Sequence, residues 1–150
     1  MAIRMCDFEL VDKGQRVVAY PVGIEGVTEG YDFEDAVRMA ADWLRETALD
    51  FLMREEEWPN LPLGTSPTHG GRMVILAVDA SLEQEPSVTA AEAARMLGVS
   101  TARIAQLCAS GVLDSWKVGG SRMVRLACVK ERADAQVTPG RPKKELAAVL

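Results

Sequence analysis

Histidine occurs once in this 150-residue chain, cysteine three times, and aromatic residues make up only 5% of it. Each scarcity excludes something. His69 stands in a Thr-His-Gly-Gly loop with no second histidine or cysteine nearby, so neither a metal-ligand nor a catalytic-base role is expected of it. Cys6, Cys108 and Cys128 are an odd number without paired spacing, which argues against a disulfide scaffold and for reduced thiols. No apolar run approaches the roughly 20 residues a bilayer requires, and the N-terminus lacks a basic-then-apolar signal pattern. The expectation is a cytoplasmic protein without a membrane partner. Gly-x-Ser-x-Gly, Walker and Cys–His patterns are absent from the sequence. The remaining composition, 48% hydrophobic and 26% charged, is an ordinary globular balance and excludes collagen-like and disordered classes.

A net charge of −5 argues at first sight against a nucleic-acid partner, but its distribution is uneven. Residues 1–86 carry 17 acidic and 7 basic side chains, a balance of −10, whereas residues 87–150 carry 5 and 10, a balance of +5. The boundary falls in Ser81-Leu82-Glu83-Gln84-Glu85-Pro86, a polar stretch ending in proline. The expected organisation is therefore a domain over 1–80, a linker over 81–86, a second domain over 87–134 and a basic flexible tail over 135–150. Opposite charge on two modules points to different partners, the second a polyanion.

In the first module, residues 3–10 and 15–20 read as strands joined at Lys13-Gly14, with a third short extended piece over 26–29. Along the first strand Met5, Asp7 and Glu9 alternate with Cys6, Phe8 and Leu10. A long amphipathic helix is expected from Phe33 to Arg54, because Phe33, Ala36, Val37, Ala40, Leu44, Ala48, Phe51 and Leu52 recur at three- and four-residue spacing. Asp32 is its expected N-cap, and Glu55-Glu56-Glu57 at the wrong end of the dipole predicts fraying. A loop rich in proline and glycine leads to residues 73–79, a continuous apolar run that reads as a strand buried on both faces. The order is β-β-β-α-β.

The stretches Val17-Val18-Ala19-Tyr20, Gly23-Ile24-Glu25-Gly26-Val27-Thr28-Glu29-Gly30 and Asp32-Phe33-Glu34-Asp35-Ala36 resemble the N-terminal domain of HicB antitoxins over about residues 5–79. The likeness departs at Val22-Gly23-Ile24-Glu25, where the family's proline-aspartate pair is missing. It implies a fold like a partly degraded ribonuclease H and a role in covering a small, basic, RNA-cleaving toxin of the HicA type. Ribonuclease H chemistry needs carboxylates converging on two metal ions. Asp7, Glu9, Glu29, Asp32 and Asp35 are available, but no spacing specifies such a cluster, and they read as solvated. No catalytic residue, metal or cofactor is expected. The acidic strand side, Asp7 and Glu9 with Glu25 and Glu29, is the expected partner surface.

In the second module, Thr89 and Glu92 form a capping box for a helix over 90–97, Gly98 stops it, and Ser100 caps a second helix running to about Ser110. Ala94, Leu97, Gly98, Val99, Ile104 and Leu107 supply the small crossing residue, turn glycine and apolar anchors of a helix-turn-helix. Facing away from them are Thr101, Arg103 and Gln106, suited to a phosphate or thymine methyl, a guanine and an adenine, and together with Ser100 they are the DNA contacts expected of this helix. Residues 112–126 read as two strands joined at Gly119-Gly120, with Lys117, Ser121, Arg122 and Arg125 making a basic wing. Trp116 is expected in the core. The run over about 87–133 resembles the winged helix-turn-helix of excisionases and MerR-type regulators, with a closing helix from Ala127 to Ala133. In the tail, Gly140-Arg141-Pro142 with Lys143 and Lys144 resembles an AT-hook core lacking its preceding arginine; a solvated basic tail is the simpler expectation.

The two resemblances together imply an α+β antitoxin of a type II toxin–antitoxin pair that neutralises its toxin and represses its own operon as a homo-oligomer, a dimer or higher. The alternative is a stand-alone DNA-binding regulator or excisionase-like factor whose first domain dimerises or binds something else.

Overall fold

Alternation of apolar side chains in the first twelve residues, and their absence from the Lys13-Gly14 turn, sets up an antiparallel hairpin that the rest of the first unit completes. The structure is a computed structural model that describes residues 2–136. The chain divides between Leu82 and Glu83 into two compact units. Both mix helix and sheet, so the class is α+β.

In the first unit, β1 (Ile3–Asp12), β2 (Val17–Pro21), β3 (Thr28–Gly30) and β4 (Arg72–Asp79) form one antiparallel sheet in the order β3-β2-β1-β4. Helix α1 (Phe33–Met53) lies across one face. Cys6, Phe8, Leu10, Val17 and Ala19 meet Ala36, Ala40 and Leu44 there, all buried. Alanines at the contact let the helix sit close, and the Trp43 ring meets Phe8 edge-on at 5.8 Å. Gly30 is required by that closeness: a Cβ there would lie 2.3 Å from the backbone nitrogen of Ala36. Asp32 Oδ1 accepts the N–H of Asp35 as the expected N-cap. The helix ends one residue short of Arg54. Beyond it the chain turns through Glu55 at φ 57°, and the Glu56 N–H donates to Phe51 O.

The expectation for residues 73–79 fails. β4 is an edge strand rather than a strand buried on both faces. Only Val74, Leu76 and Val78 pack toward the core, while Ile75 is 52% exposed on the other side. A single helix covers a single face, and an antiparallel sheet can leave the other in water.

In the second unit, α2 (Ala90–Leu97) and α3 (Thr101–Ala109) are followed by the hairpin β6 (Ser115–Val118) and β7 (Ser121–Arg125), then α4 (Leu126–Gln136). An additional strand, β5 (Ser87–Thr89), pairs with β7 and makes the order β5-β7-β6. Three residues are too short a run for alternation to reveal. Ala93, Ala94, Leu97, Ile104, Leu107, Leu113, Val124 and Val129 form the core. Trp116 is buried, as expected. The closing helix is longer than 127–133. Within 81–86, Leu82–Gln84 form a turn of 3₁₀ helix, Glu85 is buried, and Pro86 O accepts the N–H of Leu126. Among the described residues no helix is long and apolar enough to cross a membrane.

Gly30→Ala should overpack the β3–α1 contact and destabilise the first unit by about 1–3 kcal/mol. A lowered urea midpoint, with the circular dichroism spectrum unchanged in native buffer, is the expected result.

Candidate nucleic-acid interface

The exposed face of α3 is set by local rules. Ser100 Oγ accepts the N–H of Arg103 and starts the helix. Gly98 at φ 66° ends α2 and gives the chain its left-handed corner two residues earlier. Thr89 and Glu92 close the capping box at the start of α2, which holds the Glu92 carboxyl below its ordinary range through the Thr89 donors. With Ile104 and Leu107 anchored inward, Thr101, Ala102, Arg103, Ala105 and Gln106 are left facing solvent. Arg103 Nη1 donates to Gln106 Oε1 at 3.2 Å, so the two planar groups sit side by side on that face.

Beside them stands the β6–β7 hairpin, turning at Gly119 with φ 62°. Lys117 and Arg122 are register partners, both exposed, and Arg122 Nη1 donates to Ser115 Oγ at 2.8 Å. Ser121 is exposed at the turn. A cavity of about 280 Å³ is lined by Ala105, Cys108 and Ala109 of α3 together with Arg122, so helix and hairpin border one groove. Residues 87–137 match a family described as a helix-turn-helix domain. No curated protein and no solved structure matches the chain. The matched stretch covers about a third of the sequence.

The structure brings Thr101, Arg103, Gln106, Lys117, Ser121 and Arg122 to the surface of the helix-turn-helix domain, with Ser100 exposed but committed to its cap. Arg125 is a correction. It is buried, its Nε donates to Glu85 Oε2 at 2.6 Å, and its Nη1 lies 3.4 Å from Asp114 Oδ2. A guanidinium enclosed by two carboxylates has no charge to offer a phosphate. Glu85 precedes the strands in the polar stretch that reads as linker, which is why its partnership was not legible. Arg141, Lys143 and Lys144 lie outside the described residues. Sequence reasoning passed over Arg95, exposed in the last turn of α2, which its place opposite Ala93, Ala94 and Leu97 would have revealed.

The expected partner surface of the first unit does not form one site. Asp7 and Glu9 are neither solvated nor exposed; they are 1% and 3% accessible beneath the loop over 61–71. Asp7 Oδ2 accepts the backbone N–H and the hydroxyl of Thr65, each at 2.7 Å. Glu9 accepts backbone N–H groups from Thr68, His69 and Gly71 at 2.7–3.0 Å. His69 Nδ1 lies 3.2 Å from Glu9, and its ring stacks on Tyr20. Alternation along β1 identified the face shared by both carboxylates but could not show that a distant loop folds over it. Of the other two carboxylates, Glu29 is paired with Arg16, and Glu25 borders a cavity of about 600 Å³ beside Trp43 and Phe51. Among the described residues no three His, Cys, Asp or Glu side chains converge as metal ligands would.

Burial alone would raise the Glu9 pKa, but the donors of Thr68, Gly71 and His69 outweigh it and hold the carboxyl down to about 2. Asp7 is lowered in the same way by Thr65 and Gly64 against its burial. Burial pushes the Cys6 and Cys128 thiols up, which makes both poor nucleophiles.

Two measurements check these assignments. A carboxyl with a depressed native pKa contributes stability that is complete above its unfolded value, about 4.5 for glutamate, and is lost as pH falls toward 2. The urea midpoint of the first unit should therefore drop between pH 5 and pH 2.5, and Glu9→Gln should flatten that drop. Removing the cation from its buried pairs, Arg125→Ala should destabilise the second unit by about 3–5 kcal/mol, read from its thermal unfolding.

Proposed function

We propose that the chain is a DNA-binding regulator whose helix-turn-helix domain reads a two-fold operator as a homo-oligomer, and whose first unit is an antitoxin module. The observation that carries the DNA reading is the exposed α3 face framed by the basic hairpin. The second helix of such a motif enters the major groove with its first turns against base edges. Arg103 suits a guanine bidentately and Gln106 an adenine; both give up their mutual hydrogen bond to do so. Thr101 suits a phosphate or a thymine methyl. The β6–β7 hairpin serves as a wing, with Lys117, Ser121 and Arg122 on the phosphates and Arg95 of α2 as a further backbone contact. Ala102 and Ala105 leave α3 less basic than a phosphate-gripping helix, so groove shape and wing contacts carry part of the selectivity.

The antitoxin reading rests on the resemblance to HicB domains, on the β-β-β-α-β order and on the balance of −10 over residues 1–86. An acidic module speeds encounter with a small basic RNA-cleaving protein and disfavours other partners. Exposed Glu25 and Glu29 remain candidates for that contact, whereas Asp7 and Glu9 act on it only through the loop they hold. The unit is taken as a ribonuclease H-like scaffold without catalysis, metal or cofactor.

Selection of binding fragments from a random DNA pool supplies an operator for fluorescence anisotropy. Arg103→Ala should weaken binding to it by about 1–3 kcal/mol and relax specificity at one position, while Lys117→Ala should lower the salt slope by about one for any sequence. Unchanged affinity in both variants refutes the interface. For the first unit, the chain should relieve growth arrest caused by a small basic protein encoded beside it; arrest that persists on co-expression refutes the antitoxin role.

A further inference from the structure

β4 has β1 on one side, and no described strand pairs with its other edge. Natural edge strands are blunted by lysine, proline, bulges or charge in mid-strand. Between Met73 and Val78 β4 has none of these, and its eight residues pair with β1 without a bulge. At the same corner Ile3, Met5 and Ile75 are 49%, 41% and 52% exposed, on the face away from α1. Ala77, opposite Met5, is exposed with them.

The hydrogen-bonding phase of the free edge follows from bonds already present. In an antiparallel ladder, residues that bond to one neighbour alternate with residues that turn away from it. The Ala80 N–H donates to Ala2 O, directly opposite, so even-numbered residues of β4 face β1. The other side of β1 agrees: the Val22 N–H donates to Asp7 O, so odd residues of β1 serve β2 and even ones serve β4. Met73, Ile75, Ala77 and Asp79 therefore turn their N–H and C=O groups to the open edge.

This edge is complementary to itself. In an antiparallel pair, opposed residues share a face. A two-fold axis normal to the sheet that sets Ile75 against Ile75, or Ile75 against Ala77, matches face to face and free group to free group together. The strand is charged only at its ends, Arg72 and Asp79. Antiparallel addition brings each basic end beside the acidic end of the other copy, and parallel addition would bring like beside like. A strongly basic partner would meet no carboxylate along 73–78. We propose that β4 is a dimer-forming edge, on which a second copy of this chain adds its own β4. The two four-stranded sheets become one of eight strands, and the two exposed Ile3, Met5, Ile75 and Ala77 patches join across the seam. The inference is independent of the DNA-binding reading.

Light scattering on the full chain tests it together with amide exchange. Ile75→Lys places a charge on the seam, and Ala77→Pro removes a donor from the free edge but none from the β1 ladder. Each should halve the assembly mass, dimer to monomer or tetramer to dimer, with the far-ultraviolet spectrum retained. A monomeric wild type, or an unchanged mass in folded variants, overturns the proposal. Amide exchange on the wild type gives an answer even where a variant does not fold. Ile75 and Ala77 should be protected at least tenfold over free amides, and protection should fall on dilution. Free-amide rates at those two residues, with Leu76 and Val78 protected, overturn it equally.

Discussion

The first unit depends on a mismatch between one helix and a four-stranded sheet. An α-helix with its side chains is about 10–12 Å across and strands are about 4.8 Å apart, so α1 covers one face and nothing more. On that face the alanines at 36 and 40 bring it down onto Phe8 and Leu10, while Ala48 packs with Leu49 and Ala80. The opposite face needs another solution. Its centre is covered by a loop without regular hydrogen bonding, whose backbone donors find their acceptors in Asp7 and Glu9. Its corner, Ile3 and Met5 beside β4, stays open. Two acidic side chains that look like a partner surface are in fact what holds the loop down, and an apolar strand that looks like a buried centre is an edge.

A similar division of labour separates the basic residues of the helix-turn-helix domain. Arg122 and Arg125 are three residues apart on β7, yet one is exposed on the groove side and the other is enclosed by Glu85 and Asp114. The enclosed arginine ties the segment entering the domain to the strand before α4, which a core this small needs. The exposed one, with Lys117 opposite, keeps its charge for solvent. Net charge per domain therefore overstates the cations available to a polyanion, just as net charge per chain hides that there are two domains.

Legibility followed range. Features fixed within a few residues were readable: the Asp32, Thr89 and Ser100 caps, the left-handed glycine at 98, the hairpin turn at Gly119 and the 3.6-residue periodicity of α1. The outward face of α3 was readable for the same reason, since Ile104 and Leu107 determine by spacing which neighbours point away. Features that depend on residues far apart were not. Nothing near Glu9 in sequence announces Thr68 or Gly71, and nothing near Arg125 announces Glu85.

Apart from β5, the sequence by itself determined the elements, their caps, the two-module organisation and the set of side chains that α3 presents, because each is a matter of local geometry and periodicity. Only the tertiary structure decided which charges remain charges at the surface. Burial of a polar group is decided by what folds over it, and the hydrogen bonds that make burial tolerable come from segments that are distant in the chain.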